Sequence, residues 1–576
     1  MNNLEIAKKF QKIGTFLELK GENPFKIRAY LNAARVLENL QEDISSLIEK
    51  EKLTEIKGIG AALEEKITEL MATGKLKYYD DLKNSIPPGL IEMLAISGMG
   101  PKKVNTIYRK LKISGIGELE YACNENRLID LEGFGKKSQE NILKGIKNLK
   151  KYQNFHLYNS ALLEAEVLLE NLKKNKNTIC ISIAGSLRRK KEVVKDIDLV
   201  AGSKNPELLM KTFVTNKLVE SVVSHGKTKS SVTLKSGINA DLRVVKEEEF
   251  PFALHHFTGS KEHNTEMRNR AKKNDLKMNE YGLFKHNKLI PCNNEMNIFK
   301  KLGLAYIPPE LREGLGELEA AEKGRIPHLI EEKDIQGIFH VHTDYSDGNM
   351  NIREIIKVCK KLEYQYVGIS DHSQAAAYAN GLKEEDIIEQ RKEIKKINKS
   401  LNGFKIFHGI EADILPDGEI DYSSKILSGF DFVIASVHSN FTMGEKEMTA
   451  RIIKAIENPY VTMLGHPTGR LLLAREPYSV NLKEVIDVAA SHNVIIELNA
   501  NPHRLDLDWK WCRYAKEKKI KISINPDAHS LEGLNHTVYG IEIARKGWLT
   551  RKDCFNTLET KEIEASLKSK KNEIKN

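Results

Sequence analysis

Two groups of residues in this 576-residue chain have the types and spacing of metal sites, and their chemistries differ. The first is Gly185-Ser186, then Asp196-Ile197-Asp198, then Asp241. Carboxylates alone offer hard oxygen ligands, which suit Mg²⁺ engaged with nucleotide phosphates. Residues two apart in a strand share a face, so Asp196 and Asp198 would present their carboxylates together, with Asp241 delivered by a neighbouring strand. Three convergent carboxylates can hold two ions roughly 3.5–4 Å apart, bridging a nucleophilic oxygen and a triphosphate. Gly185-Ser186 closes a strand and opens a turn into a helix, a cradle for phosphates, with Arg188 and Arg189 supplying charge.

The second group is His340-x-His342, Asp347, Asp371-His372, Glu411, His438, Gly465-His466-Pro467 and Asp527-x-His529. Clustered imidazoles with carboxylates suit Zn²⁺ or Mn²⁺. By strand alternation His340 and His342 face one way, as do Asp527 and His529. Most of these residues fall at the C-terminal ends of predicted strands, the catalytic rim of an α/β barrel. Asp371 reads as support for a ligand rather than as a ligand.

The elements that must position both groups follow from composition and period. The chain is too long for one core. At 40% hydrophobic and 30% charged residues it is an ordinary globular protein, which excludes a disordered one. No apolar run reaches membrane-spanning length, Met1–Lys9 is polar, and Cys123, Cys180, Cys292, Cys359, Cys512 and Cys554 form no CxxC pair. These features predict a cytoplasmic protein with reduced thiols and no membrane partner. The net charge of +10 is uneven: residues 1–335 hold 56 Lys+Arg against 46 Asp+Glu, and the remainder holds 34 against 34. A polyanion should therefore dock on the first part.

Residues 1–150 read as helical throughout. Three glycine turns recur there: Lys57-Gly58-Ile59-Gly60, Ser97-Gly98-Met99-Gly100 and Glu132-Gly133-Phe134-Gly135, with Lys102-Lys103 and Lys136-Lys137 following the last two. This is helix-hairpin-helix spacing. Glycines let backbone N–H groups approach a phosphate, and the next helix N-terminus adds its dipole, which predicts a sequence-independent grip on a DNA backbone. From about residue 151 the pattern is helix plus strands at Thr178–Ala184, Ile197–Ala201 and a pair within Ser231–Val245 broken at Ser236-Gly237. Residues 310–335 are charged and poorly periodic, the mark of an interdomain linker. From Gly337 short apolar strands alternate with helices, which predicts parallel strands closed into a barrel. The lysine-rich end, Lys568–Asn576, is expected to fray.

On Gly185-Ser186-Leu187-Arg188-Arg189, Asp196-Ile197-Asp198, Asp241, and His256-Phe257-Thr258-Gly259-Ser260 with Asn264, Arg268 and Asn279-Glu280-Tyr281, residues 1–310 resemble the family X DNA polymerases, the polymerase beta-like nucleotidyltransferases. The resemblance implies that Asp196 and Asp198 bind both Mg²⁺ or Mn²⁺ ions and that Asp241 is the base-like ligand near the primer 3′-OH. It implies that Gly185, Ser186 and Arg189 hold the triphosphate of a dNTP, and that Phe257 stacks under its sugar beside His256 and Gly259. Asn264 and Arg268 would line the minor groove. His256 stands where animal members carry tyrosine, which bears on ribose exclusion. The first helical domain resembles the family's lyase domain: Lys66, eight residues after Gly58, falls at the Schiff-base position, Lys26 and Tyr30 match pocket positions, and Ala62 replaces a phosphate-binding lysine.

Residues 337–576 resemble the PHP (polymerase and histidinol phosphatase) phosphoesterase family, whose trinuclear site implies up to three Mn²⁺ or Zn²⁺ ions. Its nine ligand positions are filled by His340, His342, Asp347, His372, Glu411, His438, His466, Asp527 and His529. The expected fold is multidomain: an all-α helix-hairpin-helix N-terminal region (a lyase-like domain over 1–85 and a DNA-binding subdomain over 86–150), an α+β nucleotidyltransferase palm (151–250), a nascent-base-pair-binding subdomain (251–310), a linker (311–336) and a C-terminal α/β PHP barrel, a distorted β/α barrel (337–576). The expected partners are gapped or primed double-stranded DNA and dNTPs, bound by a monomer that fills short gaps and trims 3′ ends. Rival readings are a phosphoesterase of small esters and a non-catalytic DNA-end scaffold. The first has no need of Asp196, Asp198 and Asp241, and the second has no need of nine metal ligands.

Overall fold

A computed structural model describes residues 1–573 apart from Asn2, Asn39, Gln41, Asp43, Glu51, Asn126, Asp130, Glu132 and Gln153. Glu132, which opens the third glycine turn, and the last three residues of the lysine-rich end thus lie outside the described residues. The chain divides into two compact units, Met1–Gln153 and Asn154–Asn576.

In the first unit the described residues form helices and turns. Ile6, Phe10, Ile13 and Leu17 recur every three or four residues along Asn3–Lys20, and all are buried against Pro24–Glu38, whose Tyr30, Ala34 and Leu37 are buried in the same core. Each glycine turn then launches a helix: Ala61–Thr73, Pro101–Leu111 and Lys136–Tyr152.

The second unit begins with a five-stranded mixed sheet in the spatial order Thr178–Ile183, Asp196–Ser203, Asn239–Val245, Lys229–Leu234, Val219–His225. The pair Asp196–Ser203 and Asn239–Val245 is parallel and the other pairings are antiparallel. Leu168 and Leu172 of helix Tyr158–Lys173 and Phe213 of helix Pro206–Val214 cover its apolar face. The strand Val219–His225 has no counterpart in the sequence expectation. It is an edge strand, exposed over all but its first residue, so no buried face imposes alternation on it. Helices Phe250–Thr258, Lys261–Lys273 and Glu295–Lys301 follow and enclose a separate core around Phe252, Met267 and Phe299.

Residues 311–336 are not an open linker. Short helical turns form at Pro309–Leu311, Glu317–Glu322 and Glu332–Asp334, and Glu310, Arg312 and Glu317 are buried. The charges that looked solvated are partnered inside: Arg312 with Glu295, Glu317 with His263 at 2.8 Å, and Glu310 with Arg545 at 2.6 Å. Nor does the lysine-rich end fray as far as it is described, since it continues helix Thr560–Glu573, anchored by buried Ile563 and Leu567.

Seven parallel strands complete the unit in sequential order: Gly337–Val341, Tyr366–Ile369, Lys405–Asp413, Phe432–Ser436, Met463–Leu464, Ile495–Asn499 and Ile522–Asn525. A parallel bridge from Val341 to Ala528 joins the last strand's end to the first, so the barrel is nearly closed. Parallel strands buried on both faces read as continuous apolar runs, which is why Tyr366–Ile369 and Phe432–Ser436 lack polar alternation.

Candidate active sites

The register of the central parallel pair sets Asp198 directly beside Asp241, while Asp196 opens the same strand two residues earlier. All three carboxylates therefore gather at one end of the sheet. Burial, then the charges of Asp196 and Asp241, push the Asp198 carboxyl up to about 7; burial and Asp241 raise Asp196 as well. Lys229 of the next strand reaches Asp241 at 2.7 Å. Mutually repelling carboxylates in a partly buried site are the arrangement that a divalent cation relieves, so the residues present fit such an ion.

One consequence concerns pH. The Asp198 carboxyl titrates near 7 in the folded protein against an ordinary 3.8, so without metal its ionisation weakens the fold progressively as pH rises from 3.8 through about 7. A bound cation reverses that cost but must displace the proton. Mn²⁺ affinity at this site should therefore fall by up to about tenfold per unit below pH 7. Calorimetric titration of barrel-loaded protein at pH 6 and 7.5 checks this. PH-independent affinity without proton release would count against it.

The turn over the carboxylates requires glycine. Gly185 has φ +62°, and a Cβ there would lie 2.0 Å from Asp198 Oδ2. Ser186 sits in the single helical turn Gly185–Arg188 that follows. Arg188 donates to both oxygens of Glu295, at 3.0 and 2.6 Å, and to the Thr258 hydroxyl at 2.7 Å. Arg189 donates to the Thr258 carbonyl at 2.7 Å and to Glu313 Oε1 at 3.1 Å. The Arg243 guanidinium lies 4.4 Å over the Phe257 ring, and His256 meets that ring edge-on at 5.0 Å, its pKa lowered by burial. The Asn264 amide donates to the carbonyls of His256 at 2.7 Å and Gly259 at 3.1 Å, pinning that corner. Arg268 is exposed and bonded to Thr265.

In the barrel the nine expected ligands converge. They fall in four overlapping groups: His342, Asp347, His372 and His529; His340, His466 and Asp527; His340, His342 and Glu411; His372, Glu411 and His438, with ligand atoms within 4.8 Å of one another in each. Glu411 Oε1 lies 3.0 Å from His466 Nε2 and 3.2 Å from both His340 Nε2 and His438 Nε2. His340 Nε2 and both ring nitrogens of His342 are buried with no hydrogen-bond partner among the described residues, as expected of nitrogens reserved for a cation. Burial and the neighbouring His529 and His372 push His342 down to about 3, which keeps it neutral as a ligand must be. Side-chain exposures of 33% for Asp347 and 38% for His529 mark the open side.

Strand alternation alone does not deliver this set. His340, His466 and Asp527 have φ of +58°, +21° and +50°, and the first strand's register shifts between Ile338 and Val341. Left-handed backbone at non-glycine residues costs of order 1–3 kcal/mol each and persists only where the surroundings over-determine it. Those surroundings include residues outside the sequence expectation. Glu497 Oε1 lies 2.5 Å from His340 Nδ1, and its other oxygen accepts from the His466 amide at 2.7 Å. Asp413 lies 2.6 Å from His438 Nδ1, and Arg504 Nε sits 3.4 Å from Asp527 Oδ2. Such partners fix ring orientation and tautomer. Asp371 accepts from the Thr343 amide and hydroxyl, Ser346 and Gln390 at 2.6–2.7 Å, so it holds the loop that carries the ligands.

Family models match as DNA polymerase beta thumb over residues 253–313, PHP domain over 339–501, a helix-hairpin-helix domain over 1–76 and a SAM-like helix-hairpin-helix tandem over 90–148. The chain is 38% identical over 572 residues to the DNA polymerase/3'-5' exonuclease PolX of Bacillus subtilis (strain 168), covering 99% of this chain and 100% of that one. It belongs to the family X DNA polymerases that carry a PHP domain. A second family X likeness, to DNA polymerase lambda of Rattus norvegicus, is 25% identical over 346 residues, 54% of this chain and 56% of that protein. As a family X polymerase with helix-hairpin-helix, thumb and PHP domains, the protein binds DNA and uses divalent metal ions.

In the helical unit of this family X chain, Gly58, Gly98 and Gly133 take φ of +105°, +82° and +82°, while Gly60, Gly100 and Gly135 face open space. The helices after Gly60 and Gly100 begin without a side-chain cap, leaving first-turn amides available to phosphate oxygens, from Lys102 onward in the second because Pro101 has no N–H. Lys102 is exposed, and Lys103 lies over the Phe134 ring at 5.9 Å. Lys66 donates to the Ala62 carbonyl at 3.0 Å and stands 5.3 Å over the Tyr78 ring, with Lys26 at 5.6 Å over the same ring and Tyr30 stacked on it. Tyr78, at the centre of this group, gave no signal in the sequence. No helix among the described residues is long and apolar enough to cross a membrane.

Proposed function

We propose that the two centres run opposed reactions at a DNA 3′ end: the carboxylate site adds nucleotides from dNTPs to fill short gaps during repair, and the barrel site removes 3′-terminal nucleotides or blocked 3′ ends and incises abasic sites. The observation that carries this reading is that the barrel gathers nine candidate ligands in overlapping groups, while Asp196, Asp198 and Asp241 meet on a separate parallel strand pair with no residue in common. Asp196 and Asp198 would hold two Mg²⁺ or Mn²⁺ ions with Asp241 on the primer side, and the nine barrel residues would hold up to three Mn²⁺ or Zn²⁺ ions. When bound, such ions activate a hydroxyl or water and neutralise charge on the phosphate.

The chain's own residues do the rest. Gly185 and Ser186 offer backbone to the triphosphate and Arg189 pairs with it. Phe257 packs against the sugar, with His256 and Gly259 forming the gate that excludes a 2′-hydroxyl, and Asn264 and Arg268 lie along the minor groove. Gly58, Gly60, Gly98, Gly100, Gly133, Gly135, Lys102 and Lys103 grip the duplex backbone on either side of the gap. The enzyme works as a monomer in the cytoplasm, a compartment that keeps cysteines such as its buried Cys123, Cys359 and Cys512 as thiols. An assay of primer extension and degradation on gapped DNA, with and without dNTP and across Mg²⁺ and Mn²⁺, tests the scheme. Extension with dNTP and shortening without it are expected. Shortening that requires dNTP would overturn it.

Lys66 is the nucleophile of a lyase step in the same reading. Its amine condenses with the aldehyde of an abasic sugar, releasing water and forming an imine. Sodium borohydride should trap a covalent complex with abasic-site DNA, and Lys66→Ala should remove it by tenfold or more. Undiminished trapping would place the nucleophile elsewhere.

A further inference from the structure

The turn after Gly185-Ser186 is held from outside its own sheet. The Arg189 carbonyl accepts from Lys546 Nζ at 2.9 Å, Lys190 reaches Glu542 at 2.9 Å, and Glu192 pairs with Arg470. Lys546 and Glu542 belong to helix Thr537–Lys546 packed on the barrel, and Arg470 follows the ligand His466 by four residues. Lys190 itself has a left-handed φ of +59°, a conformation that these contacts over-determine. Lys546 is fully buried, 4.6 Å over the Trp509 ring, and also bonds Glu313. Glu313 is the carboxylate that engages Arg189 at 3.1 Å and Lys191 at 3.2 Å. Three cations thus converge on one nearly buried carboxylate beside the phosphate turn.

We propose that Lys546 and Glu313 are positioning residues for the incoming nucleotide, so that the PHP barrel sets the triphosphate affinity of the polymerase site. This rests on Arg189 as a triphosphate contact. Glu313 competes with the triphosphate for the Arg189 guanidinium. Lys546 weakens that competition by offsetting the Glu313 charge, and it fixes the Arg189 backbone through the carbonyl. Removing the lysine leaves Glu313 to hold Arg189 more tightly. Removing the carboxylate releases Arg189.

Single-nucleotide incorporation on gapped DNA by the full-length protein separates these effects. Lys546→Met should raise KM for dNTP about tenfold, within the range for coupled neighbours, with kcat and metal-dependent 3′-nuclease rate held within about twofold. Glu313→Gln in that background should return KM to within about threefold of wild type. Glu313→Gln alone should lower KM, an outcome no folding defect produces, so the test survives even if Lys546→Met does not fold. A KM unmoved by Lys546→Met, a double variant no better than the single, or a KM raised by Glu313→Gln would each overturn the proposal. Arg189→Ala separates the two layers. If it leaves KM unchanged, the triphosphate reading itself fails; if it raises KM while Lys546→Met does not, only the coupling fails.

Discussion

Asp241→Ala should lower dNTP incorporation by about 10³-fold or more, a loss of roughly 4 kcal/mol of transition-state stabilisation. It should leave metal-dependent 3′-nucleotide removal within about twofold of wild type. The size follows from the register: Asp241 stands beside Asp198 across a parallel strand pair, so its loss removes one of three carboxylates in a site with no redundancy. Loss of Asp241 also frees Lys229, now 2.7 Å away, to approach Asp198 and Asp196 and oppose the cation further. The independence of the second activity follows from the disjoint ligand sets. Primer extension and degradation on the same gapped substrate, at matched DNA occupancy, checks both halves. Loss of both activities with DNA binding intact would sink the two-site scheme.

His342→Ala should do the reverse, cutting 3′-nucleotide removal by about 10³-fold or more while incorporation stays within about twofold. His342 takes part in two of the four ligand groups, so its loss removes a candidate ligand from each. It is fully buried and held neutral near pH 7 by burial and its imidazole neighbours, so no surface substitute can take its place. Elemental analysis of the purified variant should show fewer bound ions per chain than wild type. Full occupancy with lost nuclease would assign His342 to substrate rather than to metal.

Much of the carboxylate site was legible because it needs only local properties: a two-residue period within one strand and a neighbour in register. Gly185 was legible as a turn, but the closeness of the Asp198 carboxylate, which leaves no room there for a Cβ, was not, since proximity across a sheet has no composition signal. In the barrel, residue type and placement at strand ends identified the ligands. The left-handed backbone at His340, His466 and Asp527 stayed hidden, because nothing in a non-glycine residue announces positive φ. Glu497 did leave a trace: an acid inside the apolar run Ile495-Ile496-Glu497-Leu498 is too costly to bury without a partner, and that partner is His340. Residues 311–336 were misread for the opposite reason. Their charges look solvated in sequence because their partners are remote, Lys546 standing 233 residues from Glu313.

That same burial decides how the two halves can be inherited. Deleting the barrel would strip Arg545 from Glu310 and Arg470 from Glu192, and would take Lys546 from Glu313 while leaving it Arg189 and Lys191. The deletion would also bare the apolar surface that the barrel covers, a large loss against a typical total stability of about 5–15 kcal/mol for a domain. Recombination therefore has no clean seam at which to separate them. A chain without the eraser would have to give Glu310 and Glu192 new partners and re-cover the writer's bared face.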